Sequence, residues 1–257
     1  MSENKAIYFA SDFHLGSKAL PDSSHREKII VSWLDSIKED AVELFLLGDI
    51  FDYWFEYREA VPKGFIRLQG KLAELADKGI QIHFFTGNHD LWVKDYFTKE
   101  FGAEIYYKPT TIQRFGKNIH LGHGDGLGPG DTRYKFVKSI LSNPICQFTF
   151  SLLHPTIGIR LMQYFSHASR INDRESQEID PTKERQIIYC ENHQRLHPET
   201  DYYIFGHRHI PIEYPLKSAK GVYFNLGEWW DRCSYVRLSE FMELKRYDGN
   251  IHFMGKE

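Results

Sequence analysis

The sequence predicts an α/β (α+β) fold, a sandwich-like core of strands and helices carrying a helical insertion. Three observations carry that reading. Short apolar runs alternate with stretches of helical spacing through the N-terminal part of the chain, the order expected of a layered sheet. A Gly-rich loop at Gly122–Asp131 is followed by about 45 residues with helical spacing and no strand pattern. The C-terminal part then reads as β-hairpins, with a turn at Asp248-Gly249.

Lys5–Ser11 is a short apolar run ending in a polar, Gly-containing loop, and reads as the first strand. His25–Lys38 places Ile29, Ile30, Trp33, Leu34 and Ile37 at helical spacing. Val42–Leu47 is a buried-strand candidate that stops at Gly48-Asp49. Phe65–Lys78 spaces Ile66, Leu68, Leu72, Leu75 and Ala76 for one helical face, and Gln81–Thr86 is a further strand stopping at Gly87-Asn88. Lys117–Gly122 is the last strand before the insertion. Inside the insertion, Asn143-Pro144 and His154-Pro155 predict a division into three short helices. Proline lacks an N–H donor and pushes its predecessor out of the helical region. A helix near Pro181–Gln194 leads back to a strand at Asp201–Phe205, and strands follow at Ile210–Tyr214, Val222–Leu226, Ser234–Leu238 and Phe241–Tyr247.

The chain has 257 residues, a size that α/β folds reach undivided, and is read as one domain over 1–257 with a lid at 131–175. Its 42% hydrophobic and 15% aromatic content supports a sizeable core and excludes disordered, collagen-like and coiled-coil classes. No apolar run reaches the roughly 18–20 residues that span a bilayer, and the N-terminus lacks a signal-peptide pattern. Cys146, Cys190 and Cys233 are far apart and odd in number, which argues against a disulfide framework and for a soluble cytoplasmic protein. Lys and Arg number 32 against 35 Asp and Glu, so the net charge of −3 argues against a general nucleic-acid binder. The 13 histidines stand out, several of them beside Asp, Asn and Gly at the ends of apolar runs.

Five short segments combine such residues: Asp12-Phe13-His14, Gly48–Asp52, Gly87-Asn88-His89-Asp90, Gly122-His123-Gly124-Asp125 and Gly206-His207-Arg208-His209. Strand ends in α/β sheets converge on one crevice, where ligands bind. Taken singly, Asp-x-His is usually a polar strand end, His123 a hydrogen-bonded loop residue and Gly-Asn-His-Asp a turn. Taken together, five successive strand ends point to a divalent metal held by carboxylate and amide oxygens and imidazole nitrogens. Without thiolates, such a set suits Mn, Fe or Zn better than a structural Cys-type zinc site. The pairs Asp12/His14 and His207/His209 are expected to present both side chains on one side of an extended segment. Asp12, His14, Asp49, Asn88, His123, His207 and His209 exceed what one ion uses, so two metals are expected.

These blocks, in this order from residue 12 to residue 209, resemble the five-block pattern of calcineurin-like metallophosphoesterases. The resemblance implies a four-layer β-sandwich flanked by helices, with Asp12, His14, Asp49 and His209 holding one metal. Asp49, Asn88, His123 and His207 would hold the other, Asp49 bridging. It further implies that His89 faces the phosphate and leaving group and that the Asp52 carboxylate orients His89. Within this superfamily the chain is similar to the UDP-2,3-diacylglucosamine pyrophosphatases of lipid A synthesis over about residues 6–228. The likeness rests on Asp12-Phe13-His14-Leu15, Gly48–Asp52 with Tyr53-Trp54, His123-Gly124-Asp125 leading to Asp131 and Tyr134, and Gly206–His209 with Pro211. Two departures stand out: His89 replaces the Arg of the best-known members, and Gly128-Pro129-Gly130 replaces a Cys-containing loop.

That likeness implies hydrolysis of a lipid-linked UDP-sugar at its α-phosphorus, giving UMP and an acylated glucosamine 1-phosphate (lipid X), with two divalent ions, Mn²⁺ foremost, as cofactors. Asn88, His89, Asp131, Tyr134, Ser169, Arg170 and His207 are the expected substrate contacts. The lid residues Phe136, Ile140, Ile145, Phe148, Leu152, Ile157 and Phe165 offer more apolar surface than docking on the core requires. Acyl chains give a physical reason for that surface, and Arg133, Lys135, Lys138, Arg160, Arg170 and Arg174 suit phosphates or anionic headgroups. A lid merely packed on the core would look similar. Trp229-Trp230 reads as core or rim packing rather than a uridine stack. The expected setting is the cytoplasmic face of a bacterial inner membrane, with neither nucleic acid nor an obligate protein partner. Two further readings stand beside this one: a phosphoesterase for another nucleotide or phospholipid diester, and a catalytically inactive scaffold of the same fold.

Overall fold

Alternation along the first strand, Ala6–Ala10 (β1), sets the layering, because successive side chains point to opposite faces. Ile7 and Phe9 enter one apolar cluster while Ala6, Tyr8 and Ala10 enter another. In this computed structural model the structure describes residues 5–172, 180–217 and 220–249, the side chains of 167–172 excepted.

After β1 the chain forms α1 (Ser23–Ile37), β2 (Ala41–Leu47), α2 (Ile66–Asp77), β3 (Gln81–Phe85), α3 (Tyr96–Phe101) and β4 (Glu104–Tyr106). β5 (Thr110–Arg114) and β6 (Lys117–Gly122) form a hairpin, followed by α4 (Thr132–Leu141), α5 (Pro144–Ser151) and α6 (Pro155–Asn172). The chain returns through α7 (Arg185–Leu196), β7 (Tyr202–Phe205), β8 (Pro211–Pro215), β9 (Val222–Leu226), β10 (Ser234–Leu238) and β11 (Met242–Arg246). One sheet has the order β11-β10-β1-β2-β3-β4 and the other β5-β6-β7-β9-β8.

The four layers follow from the clusters. Trp33, Leu34, Leu68, Leu72 and Leu75 of α1 and α2 cover the outer face of the first sheet against Tyr8, Leu44, Leu46 and Phe84. Ile7, Phe9, Phe45, Leu47 and Phe85 meet Ile119, Leu121, Ile204, Phe224 and Leu226 between the sheets. Ile187 and Cys190 of α7 pack on Tyr203, Phe205 and Tyr223 of the second sheet. Helix, sheet, sheet, helix is therefore the stacking, as the resemblance implied. The parallel strands β1, β2 and β3 end together, as do β6, β7 and β9, so the loops that follow them meet along one edge.

The sequence reading passed over α3, β4 and β5. The first two are six and three residues long, too short for periodicity to register. β5 is an edge strand whose Thr-Thr-Ile-Gln-Arg run is only partly buried, so it lacks the apolar signal of a core strand. The helix expected from Pro181 begins at Arg185, after a turn in which the Asp180 side chain accepts from the Thr182 amide at 3.0 Å. Pro144 and Pro155 open α5 and α6, the positions at which a missing N–H is harmless.

Candidate metal centre

The candidate ligands stand on bent backbone, which corrects the expectation of extended segments. Asp12, His14, Asp49, His207 and His209 have φ of +57°, +44°, +53°, +72° and +54°, in the left-handed region that L side chains disfavour. They are five of the nine non-glycine residues with positive φ among the described residues. Each such residue costs about 1–3 kcal/mol of local strain, and such strain gathers where surrounding structure over-determines a functional geometry. The turn, not the period of a strand, aims these groups at one point. Gly48 makes the approach possible: a Cβ there would sit 2.7 Å from both the Gly87 amide nitrogen and His123 Nδ1. A side chain at Gly87 would collide with the Asp49 carboxylate.

Asp49 lies at the middle. Its Oδ1 accepts the His89 amide at 2.8 Å, while Oδ2 faces His123 Nε2 at 3.3 Å and His14 Nε2 at 3.5 Å. Asp12 Oδ2 accepts from the Ser11 hydroxyl and from the His207 amide at 3.0 Å. Its Oδ1 is buried without a hydrogen bond and faces His209 Nε2 at 3.2 Å and His14 Nε2 at 3.6 Å. The two Nε2 atoms of His14 and His209 are themselves 3.2 Å apart. His123 donates Nδ1–H to the Leu47 carbonyl at 2.8 Å, which turns its Nε2 toward Asp49 and toward Asn88 Oδ1 at 3.1 Å. Donor atoms of Asp12, His14, Asp49 and His209 lie within 4.8 Å of one another, as do those of Asp49, His123 and His207.

An orphaned buried carboxylate oxygen facing two imidazole nitrogens fits a cation, and the oxygen/nitrogen donor set without sulfur fits a divalent ion of hard or borderline character. The electrostatics agree. Burial pushes Asp12 up, but the neighbouring imidazoles of His14 and His209 outweigh it and hold the carboxyl well below its ordinary range. Asp49 is held low in the same way, by the charges of His123, His89 and His14 against burial. Burial works to lower His123, yet Asp49 takes it up to about 10. His207, half-buried, is pushed down to about 4 by desolvation and by the nearby His123.

Beside this cradle, His89 Nδ1 lies 3.1 Å from the Asp52 carbonyl oxygen and 3.2 Å from Ser166 Oγ. The Asp52 carboxylate is 3.9 Å from Nδ1, outside hydrogen-bond distance, so its link to the ring runs through the Ser166 hydroxyl, which donates to Oδ2 at 2.6 Å. Asp52 Oδ1 also faces His14 Nδ1 at 3.6 Å. The remaining sequence-predicted contacts lie at the lid. Asp131 precedes α4 and pairs with Arg185 at 2.9 Å. The Tyr134 hydroxyl donates to Asp125, which also takes Lys138 Nζ at 2.6 Å. Ser169 and Arg170 fall on α6, and their side chains lie outside the described residues.

Sequence reasoning gave no role to Asp90, Arg26, Gln186 or Ser166. Asp90, fully buried, accepts from the amides of Gly87 at 2.7 Å, Ile50 at 2.8 Å and Asp49 at 3.2 Å, so it staples two ligand loops together. Burial and the nearby Asp49 charge push it up to about 7. Its place in the Gly-Asn-His-Asp run was the available signal. Arg26 of α1 donates to the carbonyls of Phe13 and His14, both at 2.7 Å, and Gln186 of α7 donates to those of Gly124 and Gly206, both at 3.1 Å. Nothing local in the sequence marks these two. Trp229 is buried against Phe13 and Trp33, and Trp230 sits beside the rings of His14 and His209.

A four-layer sandwich with clustered His, Asp and Asn donors at its strand ends is the architecture of a metal-dependent phosphoesterase. The profile of the calcineurin-like phosphoesterase family matches residues 5–211, and the chain belongs to that family. Among its relatives is the Porphyromonas gingivalis protein named UDP-2,3-diacylglucosamine hydrolase, 38% identical over 243 residues that cover 90% of this chain and 92% of the relative. Proteins of the same name from Photorhabdus laumondii and Psychromonas ingrahamii are 28% and 27% identical, each over 90% of this chain and over 94% and 93% of their own lengths.

Proposed function

We propose that this chain is a metal-dependent hydrolase that cleaves the diphosphate of UDP-2,3-diacylglucosamine to UMP and 2,3-diacylglucosamine 1-phosphate (lipid X) in lipid A synthesis. The observation that carries the reading is the near full-length likeness, at 38% identity, to a relative named for that substrate. The cradle supports the reaction class.

In this reading Asp12, His14, Asp49 and His209 hold one ion, Asp49, Asn88, His123 and His207 hold a second, and Asp49 is common to both. Divalent ions, Mn²⁺ foremost with Fe and Zn as the other choices, supply charge neutralisation at phosphoryl oxygens and water ionised near neutral pH. The chain's own groups do the rest. Asn88, His89 and His207 orient the phosphate, and His89 stabilises or protonates the departing oxygen. The bond from Nδ1 to the Asp52 carbonyl holds the ring so that its opposite edge, carrying Nε2, turns away from Asp52. Asp131 and Tyr134, at the start of the lid, contact the substrate in this reading, together with Ser169 and Arg170.

The chain is read as one domain with its lid at 131–175. Phe136, Ile145, Phe148 and Phe165 of α4–α6, and Leu152 just after α5, expose more than half their surface, an apolar area suited to acyl chains and to the cytoplasmic face of an inner membrane. No helix among the described residues is long and apolar enough to cross a membrane. The test is an assay of the manganese-loaded protein on UDP-2,3-diacylglucosamine and on water-soluble phosphodiesters. UMP release from the acylated substrate in large excess over soluble turnover is expected. Equal turnover of the soluble diesters would defeat the lipid-specific reading and leave a general phosphodiesterase. No turnover of any diester by protein with both ions bound would favour the inactive scaffold.

A further inference from the structure

The phosphate-facing histidine does not belong wholly to the core. Its Nδ1 is met by the Asp52 carbonyl and by Ser166 Oγ, and Ser166 is a residue of α6, the last helix of the lid. Ser166 is buried on a helix whose neighbours Tyr164 and Phe165 are more than half exposed. Its hydroxyl has one proton, and the 2.6 Å contact to Asp52 Oδ2 takes it, because an ionised carboxylate only accepts. The Ser166 oxygen then accepts from His89 Nδ1–H at 3.2 Å. This makes a chain from His89 through Ser166 to the Asp52 carboxylate, in the place where direct contact between His89 and that carboxylate is too long at 3.9 Å.

We infer that Ser166 is a positioning residue for the hydrolysis, a hydroxyl supplied by the lid that joins the Asp52 carbonyl in holding the Nδ1–H edge of His89 and links that edge to the Asp52 carboxylate. The inference rests on the reading of His89 as the group serving the phosphate. It does not depend on which diester is the substrate. Its consequence is that the catalytic geometry is complete only with α6 seated on the core. The same helix that presents apolar surface to the substrate sets the ring that acts on it. Gly158, one helical stretch earlier, marks how closely α6 approaches: a Cβ there would overlap the Tyr57 hydroxyl and come within 3.1 Å of the Phe150 ring.

The experiment is a double-mutant cycle with Ser166→Ala and His89→Ala. It is read on UDP-2,3-diacylglucosamine or, if that is not hydrolysed, on bis(p-nitrophenyl) phosphate. Ser166→Ala is expected to lower kcat by roughly 10- to 100-fold with KM within about twofold, as for loss of a group that orients a functional side chain. His89→Ala alone is expected to lose about 10²–10⁴-fold. In the His89→Ala background, adding Ser166→Ala should change the rate by less than about twofold, because a residue acting through another has nothing left to act on. Additive losses, or a raised KM with unchanged kcat, would overturn the inference in favour of packing or substrate contact. Ser166→Thr keeps the hydroxyl and should recover most of the rate, whereas near-isosteric Ser166→Cys should behave as Ala. Wild-type rates in Cys would overturn it even if Ala fails to fold. A readout free of turnover is the imidazole ¹⁵N spectrum of the magnesium-loaded protein. The Asp52 carbonyl keeps His89 in the Nδ1–H tautomer in both proteins, so Ser166→Ala should shift the Nδ1 resonance through loss of its second acceptor, and an unchanged Nδ1 resonance would count against the role.

Discussion

The strand-end loops and the lid helices are built on opposite principles. In the loops, Asp12 and His14 are fully buried, and their backbones are bent into a conformation that other parts of the chain hold in place. Asp90, Arg26 and Gln186 each reach across from a different element to hold loop backbone, so no ligand depends on its own loop alone. In the lid, α4 and α5 have no buried residue at all, and Phe136, Val137, Ile140, Ile145 and Phe148 face outward. The lid is held at a few points: the Trp92 indole N–H to the Leu141 carbonyl at 2.7 Å, Phe150 against Phe55 and Trp92, Lys138 and Tyr134 on Asp125, and Ser166 on Asp52. The difference separates two tasks. Rigid, strained backbone suits charge placement, where an ångström matters, and on the proposed function a loosely anchored apolar surface suits a greasy ligand, which tolerates variation.

The two regions should therefore fail differently. The largest effect is expected at the centre of the cradle. Asp49→Ala removes the carboxylate shared by both donor groups and the acceptor of the His89 amide. It should abolish both essentially all turnover and the binding of both ions, measured by rate and by bound-metal analysis. Full metal content with residual activity would show that the two donor groups are independent. A smaller and more selective effect is expected in the lid. Phe148 is 64% exposed, so Phe148→Asp should leave thermal stability within a few degrees. It should raise KM for acylated substrate by about tenfold, the scale of unburying one or two CH₂ groups, with soluble diesters unaffected. Equal loss on both substrates would erase the division of labour between the two regions.

The contrast also explains what was readable in the sequence. The blocks from Asp12 to His209 were legible because side chains that share one ion must be of a few types, and each closes an apolar run. The sandwich was legible through strands such as Val42–Leu47, apolar at every position but Glu43. The shape of the loops was not: alternation along Asp12-Phe13-His14 predicts an extended segment, and tertiary contacts such as the Arg26 hydrogen bonds bend it. Residues that act by holding backbone carbonyls carry no motif, because the partner is common to all residue types. Ser166 was hidden for a related reason. A serine on an amphipathic helix looks like a solvent-facing residue until the fold brings Asp52 beneath it.

The smallest expected effect lies on the far side of the second sheet, away from both regions. His120 of β6 is buried, with Nδ1 against the Thr111 hydroxyl at 2.8 Å, Nε2 against the Tyr189 hydroxyl at 2.9 Å and its ring stacked on His193 at 4.1 Å. Burial, reinforced by His193 and His197, pushes its pKa down to about 3 from the ordinary 6.5. Between these values the unfolded chain takes up a proton that the folded chain refuses, so stability is complete above about pH 6.5 and declines as the pH falls toward 3. Each pH unit in that window weakens the fold by up to about 1.4 kcal/mol. His120→Gln keeps a donor and an acceptor but does not titrate. In urea unfolding from pH 7 to pH 5, wild type should therefore lose about 1–2 kcal/mol relative to the variant. Parallel curves would mean that this histidine is protonated in the fold and that the imidazole stack is held by something other than exclusion of charge.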